Sequence, residues 1–328
     1  MFLAGDIGGT KTVLALFESN GDTLSSIREA TFPSRQHATF EEILTTFLEA
    51  SPGIKPEAAC FGVAGAVMDG RVTTTNLPWT LDEEALAKTI GCRKATLLND
   101  LEAAAYGTLH LSLDEKHVLN PGTSRRKRGN IAVIAAGTGL GEAILFFDGQ
   151  KYQPIASEGG HADFAPQSDL EIDLHKYLRE KFHGHVSYER VLSGPGFFNV
   201  YSFFRDTQHA PEPDWLAERI KNGDPSAIVA EVGLSCQDEN CVATLDLFAT
   251  IYGAEAGNLA LKALAVGGVF VAGGIAPKIL PALTKNDAFL KGFFAKGRFS
   301  GLMNNLHVSI ALNPRAPLIG AAHYAHEH

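Results

Sequence analysis

Twice in this chain an apolar run breaks into a glycine cluster and resumes as a second apolar run. Residues 2–5 lead into Gly8-Gly9-Thr10 and continue as residues 12–17. Residues 131–135 lead into Gly137-Thr138-Gly139-Leu140-Gly141 and continue as residues 143–147. Two short apolar runs joined by so tight a glycine turn read as an antiparallel hairpin. Each hairpin opens its own half of the chain, so the pair is a weak internal repeat. It predicts two similar α/β domains, and 328 residues suit two domains.

The segments between the hairpins fit that reading. Residues 24–31 extend the first hairpin into a meander. Phe40, Ile43, Leu44, Phe47 and Leu48 recur at the spacing of one helical face. Residues 58–63 and 95–98 are short apolar strands. Thr80-Leu81-Asp82-Glu83 and Ser168-Asp169-Leu170-Glu171 have the form of capping boxes, opening helices over residues 80–90 and 168–182. A long helix is predicted over 242–264, strands over 269–272 and 308–312, and a last helix from about residue 317. A segment rich in Pro, Gly and Ser at 120–130 marks a break. The expected small domain is 1–110 completed by about 314–328, with a large domain over 111–313.

Each motif has a chemical and a plain reading. In Gly5-Asp6-Ile7-Gly8-Gly9-Thr10 the glycines let backbone N–H groups converge on an anion, and Asp6 can hold a hydrated Mg²⁺. A plain hairpin would use the same glycines. The 137–141 turn repeats the logic. The first turn is not a Walker loop, since no Gly-Lys-Ser/Thr follows it, and the second is not a dinucleotide fingerprint, because Glu142 stands where a third glycine belongs and a strand follows. Residues 269–272 run into Gly273-Gly274, which lets a flat ring approach the backbone or simply punctuates a strand. Asp100, beside Asn99 at a strand end, can take a proton from a hydroxyl nucleophile. Glu158-Gly159-Gly160-His161 and Glu189 offer groups suited to vicinal hydroxyls. Any one of these acids alone could be a helix cap or a solvated side chain.

Their joint order is far more specific. Asp-x-Gly-Gly-Thr, Leu98-Asn99-Asp100, Gly-Thr-Gly-Leu-Gly, Glu158 to His161, Glu189-Arg190-Val191-Leu192-Ser193-Gly194-Pro195-Gly196 and the late Ala272-Gly273-Gly274-Ile275 together resemble the bacterial-type glucokinase family of the actin/hexokinase-like ATPases. The resemblance spans residue 5 to about 322. It implies two actin-like, ribonuclease H-like α/β domains flanking a central cleft, and ATP-dependent phosphorylation of glucose at its C6 hydroxyl, the entry step of glycolysis. Gly5, Asp6, Ile7, Gly8, Gly9 and Thr10 match the first phosphate turn, with Asp6 as the Mg²⁺ partner through water. Gly137, Thr138 and Gly139 match the second, and Gly273 and Gly274 the adenosine side. Asp100 matches the catalytic base, and Asn76, Asn99, Glu158, His161 and Glu189 the other sugar contacts. Another hexose or N-acetylhexosamine kinase of the same fold is the alternative, followed by an actin-like ATPase without a sugar acceptor.

Thr10-Lys11-Thr12 reads more like the related ROK kinases and repressors, but no cysteine lies between His161 and Cys236 to build their zinc motif. The phosphate turn at residue 5 leaves no expected room for a repressor's DNA-binding domain. A net charge of −9 argues against nucleic-acid partners. No apolar run approaches the roughly 20 residues of a membrane span. A cytoplasmic homodimer is expected. Cys236 and Cys241 read as ordinary buried thiols, Arg125-Arg126-Lys127-Arg128 as a solvated loop, His183-Gly184-His185 as loop, and residues 323–328 as an exposed helix end.

Overall fold

A computed structural model describes residues 1–21, 23–74, 76–123, 128–207 and 210–328. Arg125, Arg126 and Lys127 of the basic run lie outside the described residues. The chain divides into two compact units. One comprises Met1–Glu115, Tyr152–Ala156 and Asn313–His328; the other comprises Lys116–Lys151 and Ser157–Leu312.

In the first unit the strands run Thr23–Pro33, Lys11–Asn20, Phe2–Ile7, Ala58–Val63, Lys94–Asn99 across one sheet. The glycine turn makes Phe2–Ile7 and Lys11–Asn20 antiparallel. The next two pairings are parallel, and every residue of Ala58–Val63 is buried, as expected of a central strand covered on both faces. Phe40, Ile43, Leu44 and Phe47 form the buried side of the Phe40–Glu49 helix. The next helix, Glu83–Ile90, begins later than its capping pattern predicts. Residues Thr80–Asp82 pair as a strand with Arg71–Thr73, so Asp82 rather than Thr80 caps it, accepting from Ala85 N at 2.9 Å.

The Ala316–Glu327 helix packs on the Asp100–Thr108 helix so closely that side chains are excluded from the contact. A Cβ on Gly320 would stand 1.8 Å from the Ala103 carbonyl oxygen, and one on Gly107 1.9 Å from that of Ala316. At the far end of this contact the histidine-rich terminus is folded in, not exposed as its composition suggests. The His110 and His323 rings stack at 3.4 Å between centroids, and Tyr106 Oη donates to Glu327 Oε2 at 2.5 Å. Desolvation works against ionised Glu327, but hydrogen bonds from His323 and Tyr106 and the charges of the two histidines prevail and hold it down at about 2.

In the second unit the strands run Leu140–Phe147, Ile131–Ala136, Gly268–Ala272, Val308–Ala311, Lys116–Asn120. The 25-residue Glu239–Ala263 helix supplies much of its core, including Leu245, Phe248, Tyr252 and Leu259. It starts at Asp238, whose carboxylate caps Cys241 N at 2.9 Å. Gly273-Gly274 opens a run of turns, and the next helix begins only at Leu280. Cys241 is buried as expected, but Cys236 is exposed.

Gly320→Ala is expected to lower the unfolding free energy by about 1–3 kcal/mol, because the two helices must separate to admit one methyl. Urea titration of the variant beside wild type measures this.

Candidate active site

The residues singled out from sequence fall into one group in each unit. In the first unit, Gly5 and Ile7 are buried strand residues. A Cβ on Gly5 would stand 2.7 Å from the Phe61 ring, so these two positions support the turn through the sheet. The turn itself is residues 8–10. Gly8 N donates to the Lys11 carbonyl at 3.0 Å. Ser34, which sequence inspection passes over, fastens it: its Oγ donates to the Gly8 carbonyl at 2.8 Å, its N donates to the Thr10 carbonyl at 3.1 Å, and its Oγ lies 3.0 Å from Thr12 Oγ1. Ser34 and Thr12 are both fully buried. Asn76 belongs to a loop that comes up against this turn, since a Cβ on Gly9 would meet the Asn76 Cβ at 2.8 Å. Thr74 Oγ1 shapes that loop by donating to the Leu77 carbonyl at 2.8 Å.

Asn99 and Asp100 mark the change from strand to helix. Asn99 caps the Asp100–Thr108 helix, its Oδ1 accepting from Leu101 N at 3.0 Å. Glu102 Oε2 completes the box by accepting from Asn99 N at 2.9 Å. Asn99 Nδ2 donates to the Gly65 carbonyl at 3.0 Å, which leaves its second amide hydrogen for another acceptor. Asp100 is exposed at the first helical position, where the helix N-terminus favours a negative charge, and Leu101 N donates to its Oδ1 at 2.9 Å.

Asp6 and Asp100 are neighbours because of Gly62. Asp6, Gly62 and Leu98 are in register across three strands. A Cβ on Gly62 would meet the Ala103 Cβ at 2.8 Å and the Asp100 Cα at 3.7 Å. The bare backbone therefore lets the start of the helix settle beside Asp6. Burial, and next the Asp100 charge, push Asp6 from 3.8 up to about 6, with Lys11 opposing them. Two neighbouring carboxylates at the mouth of a glycine turn are a donor set suited to a hard cation, so the residues present fit Mg²⁺.

In the second unit the motifs converge on residues 136–140. Gly137 N donates to the Gly139 carbonyl, and Gly194 N donates to the Gly137 carbonyl, both at 2.8 Å. Leu140 N donates to Glu189 Oε2 at 2.9 Å. Gly139 is required there, since its Cβ would stand 2.5 Å from that same carboxylate oxygen. Gly160 lies against the carbonyl of the same residue, where a Cβ would stand 2.0 Å from the Leu140 oxygen. Glu158 and His161 are exposed, with His161 Nε2 3.9 Å from Glu158 Oε2. Gly273 has φ +82°, and its Cβ would stand 2.4 Å from the Ala136 carbonyl oxygen. Ile275 N donates to that oxygen at 3.2 Å, while Tyr252 Oη donates to the Ala272 carbonyl at 3.4 Å and accepts from Ala136 N at 3.0 Å. Thr138 and Gly274 are exposed.

The family model described as Glucokinase matches residues 3–328. A curated glucokinase from Trichormus variabilis is 43% identical, with 98% of each chain covered. Among solved structures, a glucokinase from an Antarctic psychrotroph is 32% identical with a TM-score of 0.89, covering 100% of this chain and 99% of that one. A ROK family glucokinase from Streptomyces griseus, solved in complex with glucose and AMPPNP, is 21% identical with a TM-score of 0.64, covering 100% and 99%. That last likeness is one of fold.

Asp6→Asn is expected to stabilise the ligand-free protein at neutral pH by about 1–3 kcal/mol, the free energy equivalent of the Asp6 shift. The folded pKa lies above the unfolded one, so the wild-type penalty is absent below about pH 4, grows toward about pH 6 and is complete above it. Thermal melts across that range should show the two proteins converging only in acid.

Proposed function

The chain belongs to the glucokinase family and phosphorylates glucose with ATP, and we propose that Asp100 is the base for the C6 hydroxyl. As the C6 oxygen forms its bond to the terminal phosphorus of ATP, the bond from that phosphorus to its bridging oxygen breaks. ADP departs, and the hydroxyl proton passes to Asp100. The observation that carries this reading is the setting of Asp100: an exposed carboxylate at a helix N-terminus, steadied by Leu101 N and adjacent to Asp6.

The other residues divide between the two substrates. Backbone N–H groups of Gly8, Gly9 and Thr10 and of Gly137, Thr138 and Gly139 hold phosphate oxygens, and transfer of this kind depends on positioning more than on covalent chemistry. Gly273 and Gly274 leave room for the adenosine. Asn76, Asn99, Glu158, His161 and Glu189 hold the sugar hydroxyls, Glu189 being oriented by Leu140 N. Asp6 would hold Mg²⁺ through water, and the ion when bound supplies charge neutralisation at the terminal phosphates. The bound glucose and AMPPNP of the Streptomyces griseus structure support the choice of substrates. A cytoplasmic homodimer that binds no nucleic acid completes the reading; among the described residues no helix is long and apolar enough to cross a membrane.

Asp100→Asn is expected to keep glucose affinity within a few-fold and to lose at least about 10² in turnover, the low end for acid–base catalysis. Calorimetry with glucose and an ADP-coupled assay separate the two quantities. Turnover close to wild type would remove Asp100 from the mechanism.

A further inference from the structure

Glu142 and Glu255 are acids that the mechanism does not use, yet they are among the most completely buried polar residues of the second unit, at 1% and 0% exposure. Glu142 sits on the Leu140–Phe147 strand just past the glycine turn, and Glu255 in the middle of the Glu239–Ala263 helix. Their carboxyls are hydrogen-bonding partners, and the Oε1 of each finds no other hydrogen-bond donor. Two carboxylates cannot donate to each other; one proton between them makes one a donor and satisfies both. The charges around them leave that proton in place. Lys262 Nζ reaches Glu255 Oε1 at 3.6 Å from its own helix. Asn258 Nδ2 donates to Glu255 Oε2 at 2.8 Å and to Tyr188 Oη at 3.0 Å, and Tyr188 is itself a hydrogen-bonding partner of Glu255. Lys296, with Glu171 near it, also feels Glu255, but its ammonium donates to the Ala254 carbonyl at 2.8 Å. Tyr252 faces Glu142 as a neutral phenol, its ionisation opposed by burial. Burial, and next the Glu255 charge, push Glu142 up to about 8.

This pair lies under both sugar-side segments. A Cβ on Gly159 would stand 2.1 Å from Glu142 Oε2, so the 158–161 turn rests directly on that carboxyl. Tyr188, held by Glu255 and Asn258, immediately precedes Glu189. Leu140, two residues before Glu142, donates to Glu189 and abuts Gly160. We propose that Glu142 and Glu255, sharing one proton, are positioning residues for glucose, fixing the 158–161 turn and the Tyr188–Arg190 segment so that Glu158, His161 and Glu189 meet the sugar. This rests on the assignment of those three residues to glucose. Loss of the shared proton puts two negative charges beneath the turn, and glucose binding weakens while nucleotide binding does not.

Calorimetric titration of the full chain with glucose, and separately with ADP, from pH 7 to pH 9.5 tests this. Wild type is expected to lose roughly tenfold in glucose affinity through one ionisation, with ADP affinity unchanged. Glu142→Gln keeps the hydrogen bond and removes the proton. It should bind glucose like wild type at pH 7 and lose most of the alkaline decline. Its melting temperature at pH 9 should exceed that of wild type, which also reports that it folds. A flat wild-type profile, a variant that declines in parallel with wild type, or an equal loss of ADP affinity would overturn the proposal. Glu158→Gln and Glu189→Gln serve as controls. If neither weakens glucose, the sugar assignment fails and the proposal with it; if both do and Glu142→Gln still tracks wild type, the positioning role alone fails.

Discussion

Asp6 is held where burial, and next the Asp100 charge, oppose its ionisation, and much of the first unit serves to hold the two acids side by side. Asp6 is fixed by strand register, Asp100 by a helix whose cap is Asn99, and the distance between them by the missing side chain at Gly62. The terminal helix then presses on the helix that Asp100 begins, through Gly107 and Gly320. A folded protein of marginal stability does not keep a buried acid beside another carboxylate without an offset elsewhere. Under the proposed function that offset is a cation and a phosphate group, which makes the destabilised acid part of the proposed site.

The second unit solves a related problem by different means. Its own acid pair, Glu142 and Glu255, is buried and, on the inference above, is satisfied by one shared proton. Of the acids proposed to meet the sugar, Glu158 is exposed and Glu189 half-buried, and main-chain geometry sets the segments that carry them. One residue, Leu140, serves both segments: its N–H orients Glu189 and its carbonyl receives the bare backbone of Gly160. Fixing ligand-holding side chains to rigid strand ends in this way limits the motion that would otherwise cost binding free energy.

Features that depend on local order were legible in the sequence. The two hairpin turns, the amphipathic helix at Phe40–Glu49, the Ser168 cap and the ordered motifs all depend on residues close in the chain. What escaped notice depends on distant partners. Ser34 has no local signal, because it acts on a turn more than twenty residues earlier in the sequence. Glu142 stood out only as the residue that spoils a dinucleotide fingerprint, and its partner lies more than a hundred residues away. Thr80 lost its capping role because strand pairing with Arg71–Thr73 claimed its backbone first, an instance of tertiary context overriding a local pattern. The histidine-rich terminus looked solvated because composition does not reveal that Tyr106 on the Asp100–Thr108 helix, and His110 in the turn after it, wait to receive it.

Glycine content therefore matters here through close approach more than through turns. Gly62, Gly107, Gly139, Gly159, Gly160 and Gly320 all have ordinary backbone angles, and what each excludes is a Cβ where another chain segment or a carboxylate already stands. An alanine at any of them would be judged mild by helix or strand propensity alone. It would nevertheless displace the element that carries a functional acid.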